Sequence, residues 1–436
     1  MLVALLTLLV RAVAMVKDMA VASSFGLGDA LDAFLMAYLI PSFALTVIAG
    51  SIYAALVPVL VGLRETNGHA DARRLFSSIS FIGLVVLGSV TVVLALVGEW
   101  LLGHFASGFS AGKLAMTMGL FQLMLPLVLI SGMSILGGAA LNAQKKFALP
   151  AIAPVLTPFV IILGLTQAAN ETDARQLVIW TLAGCALELS LVLWGLHRAG
   201  YLCLPRFRKL DEHSRRVIEQ YLPMLSGAFL MGGTVVIDQI MAAWLDAGSV
   251  SALNYANKAP ALITGLAATA LATAALPYLS RQVAQRDFVA SRHTLTTYSI
   301  LIVKVSVPVT VLGIFFAEPL VRLLFERGSF GQADTRMVSE ILRYSLIQVP
   351  FYVLGTLYAK FVSVLRGNKY LFYGATISLL LNVVMNLALM RTMGVAGIAL
   401  STSIVYVVAA AFLGWISVKA LNKEIRLGQG RSEVLG

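Results

Sequence analysis

The sequence contains few charged residues and few cysteines. Only 12% of its 436 residues are charged, whereas a soluble domain usually carries about 25%, which argues against an ordinary soluble enzyme. The two cysteines, Cys185 in an apolar run and Cys203 in a basic segment, make neither a disulfide framework nor a zinc site. Apolar residues are abundant instead, at 59% of the chain, with a mean hydropathy of +0.88. This composition predicts a polytopic membrane protein.

Clustered catalytic groups are also lacking. A membrane-embedded enzyme such as a lipid-phosphate transferase would need histidines or acids grouped with metals near one membrane face. The histidines are instead scattered over predicted loops on both sides of the membrane, at His69, His104, His197, His213 and His293. The sequence shows no nucleophile, P-loop or metal-binding motif. We therefore expect a protein that is not an enzyme.

Twelve apolar stretches are long enough to cross a bilayer, since a membrane helix needs about 20 residues. They cover residues 2–26, 31–63, 75–103, 115–141, 148–168, 177–197, 222–245, 250–280, 295–317, 337–365, 370–390 and 394–418. Arg11 interrupts the first stretch and no basic region precedes it, which predicts a membrane span rather than a signal peptide. The predicted fold class is an all-α polytopic membrane protein with about 12 transmembrane helices.

The basic residues are distributed unequally among the predicted loops. Loops after even-numbered helices, together with the C-terminal tail, hold 20 of them, and loops after odd-numbered helices hold 6, including Lys113. Positively charged loops remain in the cytoplasm, so both termini and the large central loop are predicted to be cytoplasmic. The net charge of +11 then reflects topology and contact with anionic lipids, and no nucleic-acid partner is needed.

The two halves of the chain repeat each other. Four residues of the first half recur 219 positions later: Ala37, Pro41, Pro58 and Arg73 return as Ala256, Pro260, Pro277 and Arg292. This shift moves the pattern by six helices, an even number, so the copies share one orientation and define a parallel pseudo-two-fold repeat. The predicted domains are a six-helix lobe (1–200), a cytoplasmic amphipathic linker (201–221), a second six-helix lobe (222–421) and a cytoplasmic tail (422–436). Two-lobed transporters usually bind substrate between their halves and alternate access.

Several charged side chains lie at predicted membrane depth, where each costs about 3 kcal/mol on insertion scales. They include Arg11, Lys17 and Asp18 in the first helix, Asp32 at the start of the second and Lys258 early in the eighth. Helical spacing puts Arg11 and Asp18 on one face with Lys17 pointing elsewhere, so a structural ion pair between Arg11 and Asp18 is one interpretation. The other is a cationic cavity for a phosphate-bearing substrate. Glu188 in the sixth helix has no partner that the sequence identifies.

Oxygen-bearing side chains form a second pattern. Asp238 lies in the seventh predicted helix, Asn382 and Asn386 are four apart in the eleventh, and Thr402 lies in the twelfth. A carboxylate, two amides and a hydroxyl suit a small cation such as Na⁺. Amide and hydroxyl side chains in membrane helices also commonly hydrogen-bond to neighbouring helices. The residues alone leave both interpretations open.

Three segments resemble one known family. The run "RAVAMVKDMAVASSFGLGDALDAFLMAYLIP" (11–41), the run "ALNAQKKFALPAIAPVL" (140–156) and the run "AGSVSALNYANKAPALITG" (247–265) are similar to the MurJ/MviN lipid II flippases. That family belongs to the multidrug/oligosaccharidyl-lipid/polysaccharide exporter superfamily. The resemblance implies a monomeric protein of the bacterial inner membrane that moves undecaprenyl-pyrophosphate-linked peptidoglycan precursor from the inner to the outer leaflet.

The resemblance also implies roles for individual residues. The substrate-binding residues carry over to Arg11, Lys17, Asp18, Asp32 and Lys258. The sodium site of the family carries over to Asp238, Asn382, Asn386, the carbonyl of Ile398 and Thr402, with Na⁺ as the coupling ion. No other cofactor is implied.

Two alternative functions remain open at this point. The second predicted helix has no charged residue over 42–58, where the family typically carries arginines and an acid. A flippase for another polyprenyl-linked saccharide, such as an exopolysaccharide or O-antigen unit, fits that difference. A cation-coupled drug exporter of the same superfamily would instead need an acidic, aromatic-lined cavity, and Arg11, Lys17 and Lys258 argue against one.

Overall fold

The structure is a computed structural model, which describes residues 2–167, 173–202, 205 and 211–434. Throughout these ranges the regular elements are helices. They form two compact units, the first made of Met1–Ser251 with Phe325–Gly331 and the second of Ala252–Leu324 with Gln332–Gly436. Cys203 and residues 204 and 206–210 of the predicted linker lie outside the described residues, as do residues 435 and 436 of the predicted tail.

The described residues of the first unit form ten α-helices that belong wholly or mostly to it. They are α1 (Leu2–Phe25), α2 (Asp29–Ala44), α3 (Gly50–Asn67), α4 (His69–Phe105), α5 (Ala111–Met124), α6 (Pro126–Ala143), α7 (Ala148–Ile152), α8 (Leu156–Gln167), α9 (Ala174–Arg198) and α10 (Glu212–Ala242). A π-helical segment, Leu45–Ala49, joins α2 to α3, and a 3₁₀ turn, Ala153–Val155, joins α7 to α8. The core of this unit is an apolar cluster that includes Leu56, Leu60, Phe121 and Met124.

The remaining helices lie wholly or mostly in the second unit. They are α11 (Ser249–Ala256), α12 (Lys258–Ala284), α13 (Phe288–Phe315), α14 (Ala317–Phe325), α15 (Gln332–Val364), α16 (Asn368–Met393) and α17 (Val395–Val434). In this unit α15 packs against α17, and α16 packs beside α17. A smaller apolar cluster that includes Leu279, Leu357 and Phe361 joins α12, α13 and α15.

Eleven helical segments of the described chain are long and apolar enough to cross a membrane. Each overlaps one of the predicted spans from the second to the twelfth. The first predicted span corresponds to α1, which has 24 residues but carries Arg11, Lys17 and Asp18. The chain is therefore an all-helical multi-pass membrane protein, as its sequence predicts.

Prolines accompany interruptions in two repeat-related helices. Pro41 lies inside α2 and lacks an N–H, and the widened π-helical turn follows within four residues. In the second copy, α11 ends at Ala256 and α12 begins at Lys258, so that Pro260 occupies the first turn of α12, where a proline is tolerated. Pro350, by contrast, lies inside the continuous helix α15. The break at Asn257 makes Lys258 the first residue of α12.

Candidate functional site

The carboxylate of Asp32 is the most completely satisfied charged group at the start of the second span. Asp32 is fully buried. Its Oδ2 accepts a hydrogen bond from the backbone N–H of Gly248 at 2.7 Å, and its Oδ1 accepts one from the N–H of Ser251 at 2.8 Å. Because N–H groups in the first turn of a helix have no intrahelical acceptor, a carboxylate at this position caps α11. Asp32 therefore ties α2 to the beginning of α11.

Lys113 completes this group. Its Nζ lies 2.8 Å from Asp32 Oδ2 and 2.7 Å from Asp29 Oδ1, and 4.1 Å from the ring centre of Phe109. The Lys113 side chain is only 5% exposed, so its charge is neutralised by the two acids rather than by water. We call Asp29, Asp32, Phe109, Lys113, Gly248 and Ser251 the Asp32 cluster.

The prediction that Lys113 lies in a loop after an odd-numbered helix is wrong. Lys113 is instead the third residue of α5, and its N–H is bonded to the N-cap hydroxyl of Ser110 at 3.4 Å. The signal for this helix start in the sequence is Ser110, a residue type favoured at the N-cap, directly before the first residue of α5. No local pattern of the sequence pairs Lys113 with Asp29 or Asp32.

The charged residues of α1 are arranged differently from the predicted pattern. Lys17 Nζ lies 2.6 Å from Asp18 Oδ1, so the expectation that Lys17 points away from Asp18 is wrong. Adjacent residues diverge by about 100° around a helix, but the four-carbon stem of lysine is long enough to bend back to its neighbour. No ion pair joins Arg11 to Asp18, and within the described ranges the half-buried Arg11 guanidinium has no hydrogen-bond or ion-pair partner.

One further predicted substrate-binding residue, Lys258, and one predicted cation ligand, Asp238, belong to different compact units. Lys258 begins α12 in the second compact unit and is half-buried. Asp238 lies near the C-terminal end of α10 in the first unit and is 7% exposed. Both side chains interact with other groups of the protein.

The remaining oxygen donors lie on two helices of the second unit that pack together. Asn382 and Asn386 are both fully buried on α16, and Asn386 Nδ2 lies 3.5 Å from Asn382 Oδ1. On the adjoining helix α17 the Thr402 hydroxyl donates to the Ile398 carbonyl at 3.1 Å. Because α16 packs beside α17, four of the five predicted cation ligands belong to one pair of packed helices. Buried neutral oxygens of this kind fit the preferences of a small hard cation.

Glu188 has a partner that the sequence did not identify. Its Oε1 accepts a hydrogen bond from the Ser134 hydroxyl at 3.1 Å, between α9 and α6. The two residues are 54 positions apart in the chain, so only the packing of these helices reveals the contact.

The fold is similar to that of solved membrane transporters. It matches a solved MurJ lipid II flippase in an inward closed conformation with a TM-score of 0.82 and 22% identity, over 97% of this chain and 89% of that one. It also matches an inward-facing multidrug-resistance MATE transporter of the MOP superfamily with a TM-score of 0.81 and 13% identity, over 96% and 95% of the two chains. The chain thus has the helical fold that flippases and exporters of this superfamily share.

The sequence comparisons then give the family. The family model described as lipid II flippase MurJ matches residues 21–431, and the chain belongs to this family. A probable lipid II flippase MurJ from Vibrio cholerae is 26% identical over 92% of this chain and 79% of its own length. The lipid II flippase MurJ from Burkholderia cenocepacia is 28% identical over 77% of this chain and 67% of its own length. Membership of a flippase family makes the chain a transporter rather than an enzyme.

Proposed function

We propose that this chain is a flippase that moves lipid II, a polyprenyl-pyrophosphate-linked saccharide, from the inner to the outer leaflet of the bacterial cytoplasmic membrane. The observation that carries the proposal is the family match over residues 21–431. The names of the V. cholerae and B. cenocepacia relatives support lipid II as the substrate. The excess of basic residues in alternate loops supports cytoplasmic termini. The protein acts as a monomer in this proposal.

Arg11, Lys17 and Lys258 bind the pyrophosphate in the proposed cycle. The free guanidinium of Arg11 supports this role, because a planar fork of donors matches phosphate oxygens in pairs. Lys17 Nζ forms an ion pair with Asp18 at 2.6 Å. A pyrophosphate can replace Asp18 as the anionic partner of this ammonium group. The polyprenyl tail stays in lipid while the headgroup crosses the membrane by alternating access.

Asp18 and Asp32 orient or release these cations as the protein changes conformation. Asp18 competes with the substrate for Lys17, which favours release of the pyrophosphate once the two residues approach again. Asp32 is occupied in the present structure by Lys113 and two backbone N–H groups. Its part in the cycle is therefore to stabilise the conformation in which the Asp32 cluster is assembled.

The cycle is reset by an electrochemical gradient. Na⁺ bound by Asp238, Asn382, Asn386, Ile398 and Thr402 is one proposed driving ion, supported by the burial of both asparagines against α17. The membrane potential acts on the positive charges of Arg11 and Lys258. It contributes about 2.3 kcal/mol per elementary charge per 100 mV. A difference of that size biases a two-state carrier.

Complementation tests the proposed substrate. The chain would be expressed in cells depleted of their essential lipid II flippase, and lipid II in the outer leaflet would be followed. We expect rescue by the wild-type chain and loss of rescue by Arg11→Ala at equal membrane abundance, with Lys146→Ala, an exposed loop cation, as the matched control. Failure of a well-inserted wild-type chain would contradict lipid II as substrate and would favour another lipid-linked saccharide.

A further inference from the structure

A buried acid in the first unit remains outside the mechanism described above. Glu188 lies near the middle of α9 (Ala174–Arg198), a segment long and apolar enough to cross the membrane. Ionisable residues at membrane depth are costly to bury, and they usually mark a pathway for ions or protons. Glu188 is half-buried, so part of this residue lies at the surface of the protein.

Glu188 is hydrogen-bonded to a neutral group. Among the described residues, its hydrogen-bond donor is the Ser134 hydroxyl on α6, at 3.1 Å. The titratable side chains that interact with it electrostatically are Tyr38 on α2 and Cys185 one turn earlier on α9, and both are neutral or negative groups. Throughout the described part of the chain, no lysine, arginine or histidine forms an ion pair with Glu188.

This arrangement distinguishes Glu188 from Asp18 and Asp32, two other acids of the first unit. Asp32 is neutralised by Lys113, and Asp18 is paired with Lys17. A carboxylate buried without a cation is disfavoured, whereas a carboxylic acid needs far less compensation. A single hydroxyl is also a suitable partner for either form, because it can donate to the carboxylate or accept from the acid.

We propose that Glu188 is a proton-binding site, at which the carboxylate takes a proton from water and returns it to water as the protein changes conformation. The proton converts a charged group into a neutral one without breaking the contact between α6 and α9. Proton uptake and release at Glu188 thereby couple a proton gradient to transport. The coupling role rests on the proposed flippase function, whereas proton binding itself does not.

A purely structural role makes different predictions. If Glu188 only joins α9 to α6, Glu188→Gln keeps an acceptor for the Ser134 hydroxyl and nothing that depends on pH should change. If Glu188 binds protons, the same substitution removes the titrating group while preserving the helix contact. Glu188→Gln is therefore the informative variant, since its fold is expected to survive in both cases.

Labelling with dicyclohexylcarbodiimide tests proton binding directly. This apolar reagent adds to a protonated carboxyl group in an apolar environment, consuming its proton and leaving an N-acylurea that peptide mass spectrometry can locate. Glu219 is the matched control, because it is 64% exposed and paired with Arg215 at 3.1 Å. For the purified full chain we expect labelling at Glu188 that falls as pH rises, at least about tenfold above Glu219 at the lowest pH. Labelling of Glu188 that equals Glu219, or that does not change with pH, would overturn the proposal.

Transport measurements then test coupling separately. In proteoliposomes containing lipid II, we expect the wild-type rate to respond to an imposed pH gradient and the Glu188→Gln rate to lose that response. An unchanged response in Glu188→Gln would overturn the coupling role. Absence of any lipid II transport by the wild-type chain, with labelling at Glu188 intact, would contradict the proposed function and leave the proton site standing.

Discussion

The carboxylate of Asp32 accepts a hydrogen bond from the backbone N–H of Ser251 at 2.8 Å, and the two residues occupy the same position of the internal repeat, 219 residues apart. The first copy supplies an acid at this position and the second supplies a backbone donor at the start of α11. Both residues belong to the first compact unit. The two copies of the repeat thus differ at this position, one supplying a carboxylate acceptor and the other a backbone donor, and the two groups are hydrogen-bonded to each other. Lys113 neutralises the charge of the Asp32 carboxylate.

Breaking the Asp32–Lys113 ion pair should be costly because both side chains are buried. Removing Lys113 leaves the Asp32 carboxylate buried without a cation, which typically costs about 3–5 kcal/mol, and removing Asp32 leaves Lys113 with the partly exposed Asp29 alone. We expect Lys113→Met and Asp32→Asn each to lower the free energy of unfolding in detergent by about 3 kcal/mol. The double variant should lose about 1–3 kcal/mol less than the sum, because the remaining charge is removed as well.

The exposed pair Arg215–Glu219 provides the control for that cycle. Its atoms are 3.1 Å apart, but the side chains are 79% and 64% exposed, and such pairs contribute about 0–1 kcal/mol. Strict additivity of Lys113→Met and Asp32→Asn, as at the control pair, would refute a stabilising role for the Asp32 cluster.

Close packing of α8 against α9 predicts a second effect on stability. A Cβ added at Gly184 would lie 2.5 Å from the Cα of Thr157, which is backbone and cannot rotate away. We expect Gly184→Ala to destabilise the protein by about 1–3 kcal/mol, the usual cost of overpacking, in a thermal unfolding measurement. Gly88→Ala is the matched control, since Gly88 is also inside a helix and a Cβ added there would meet nothing within 4 Å. An equal Tm for both variants would contradict the packing described here.

The proposed sodium site predicts a specific response to salt. A ligand that binds only the folded protein stabilises it by about 2.7 kcal/mol at one hundred times its Kd. We expect NaCl to raise the Tm of the wild-type chain more than choline chloride at equal ionic strength. Asn386→Ala should abolish the difference, whereas Thr376→Ala, a half-buried position on the same helix outside the proposed site, should keep it. A sodium effect that survives in Asn386→Ala would exclude this set of ligands.

Much of the fold could be predicted from the sequence, but the connections within the site could not. Apolar runs, loop charges and the repeat identify the spans because each reflects a local or periodic property of the chain. The contacts of Lys113 with Asp32 and of Ser134 with Glu188 join residues 81 and 54 positions apart. Such contacts depend on how helices pack and on the reach of individual side chains, and no local pattern encodes them. The pairing of Lys17 with Asp18 depends on the reach of a side chain. Helical spacing alone points these neighbours in different directions, and it does not show that the long lysine side chain bends back to the adjacent acid.

The most direct test of the account is lipid II flipping by the purified chain in liposomes, with Arg11 substituted. Arg11 is the cation of α1 that no acid neutralises within the described residues, so its charge should be used by the pyrophosphate. We expect Arg11→Ala to abolish flipping, Arg11→Lys to retain part of it, and Lys146→Ala to flip lipid II at the wild-type rate. Flipping by Arg11→Ala at the wild-type rate would contradict recognition of the pyrophosphate by this residue.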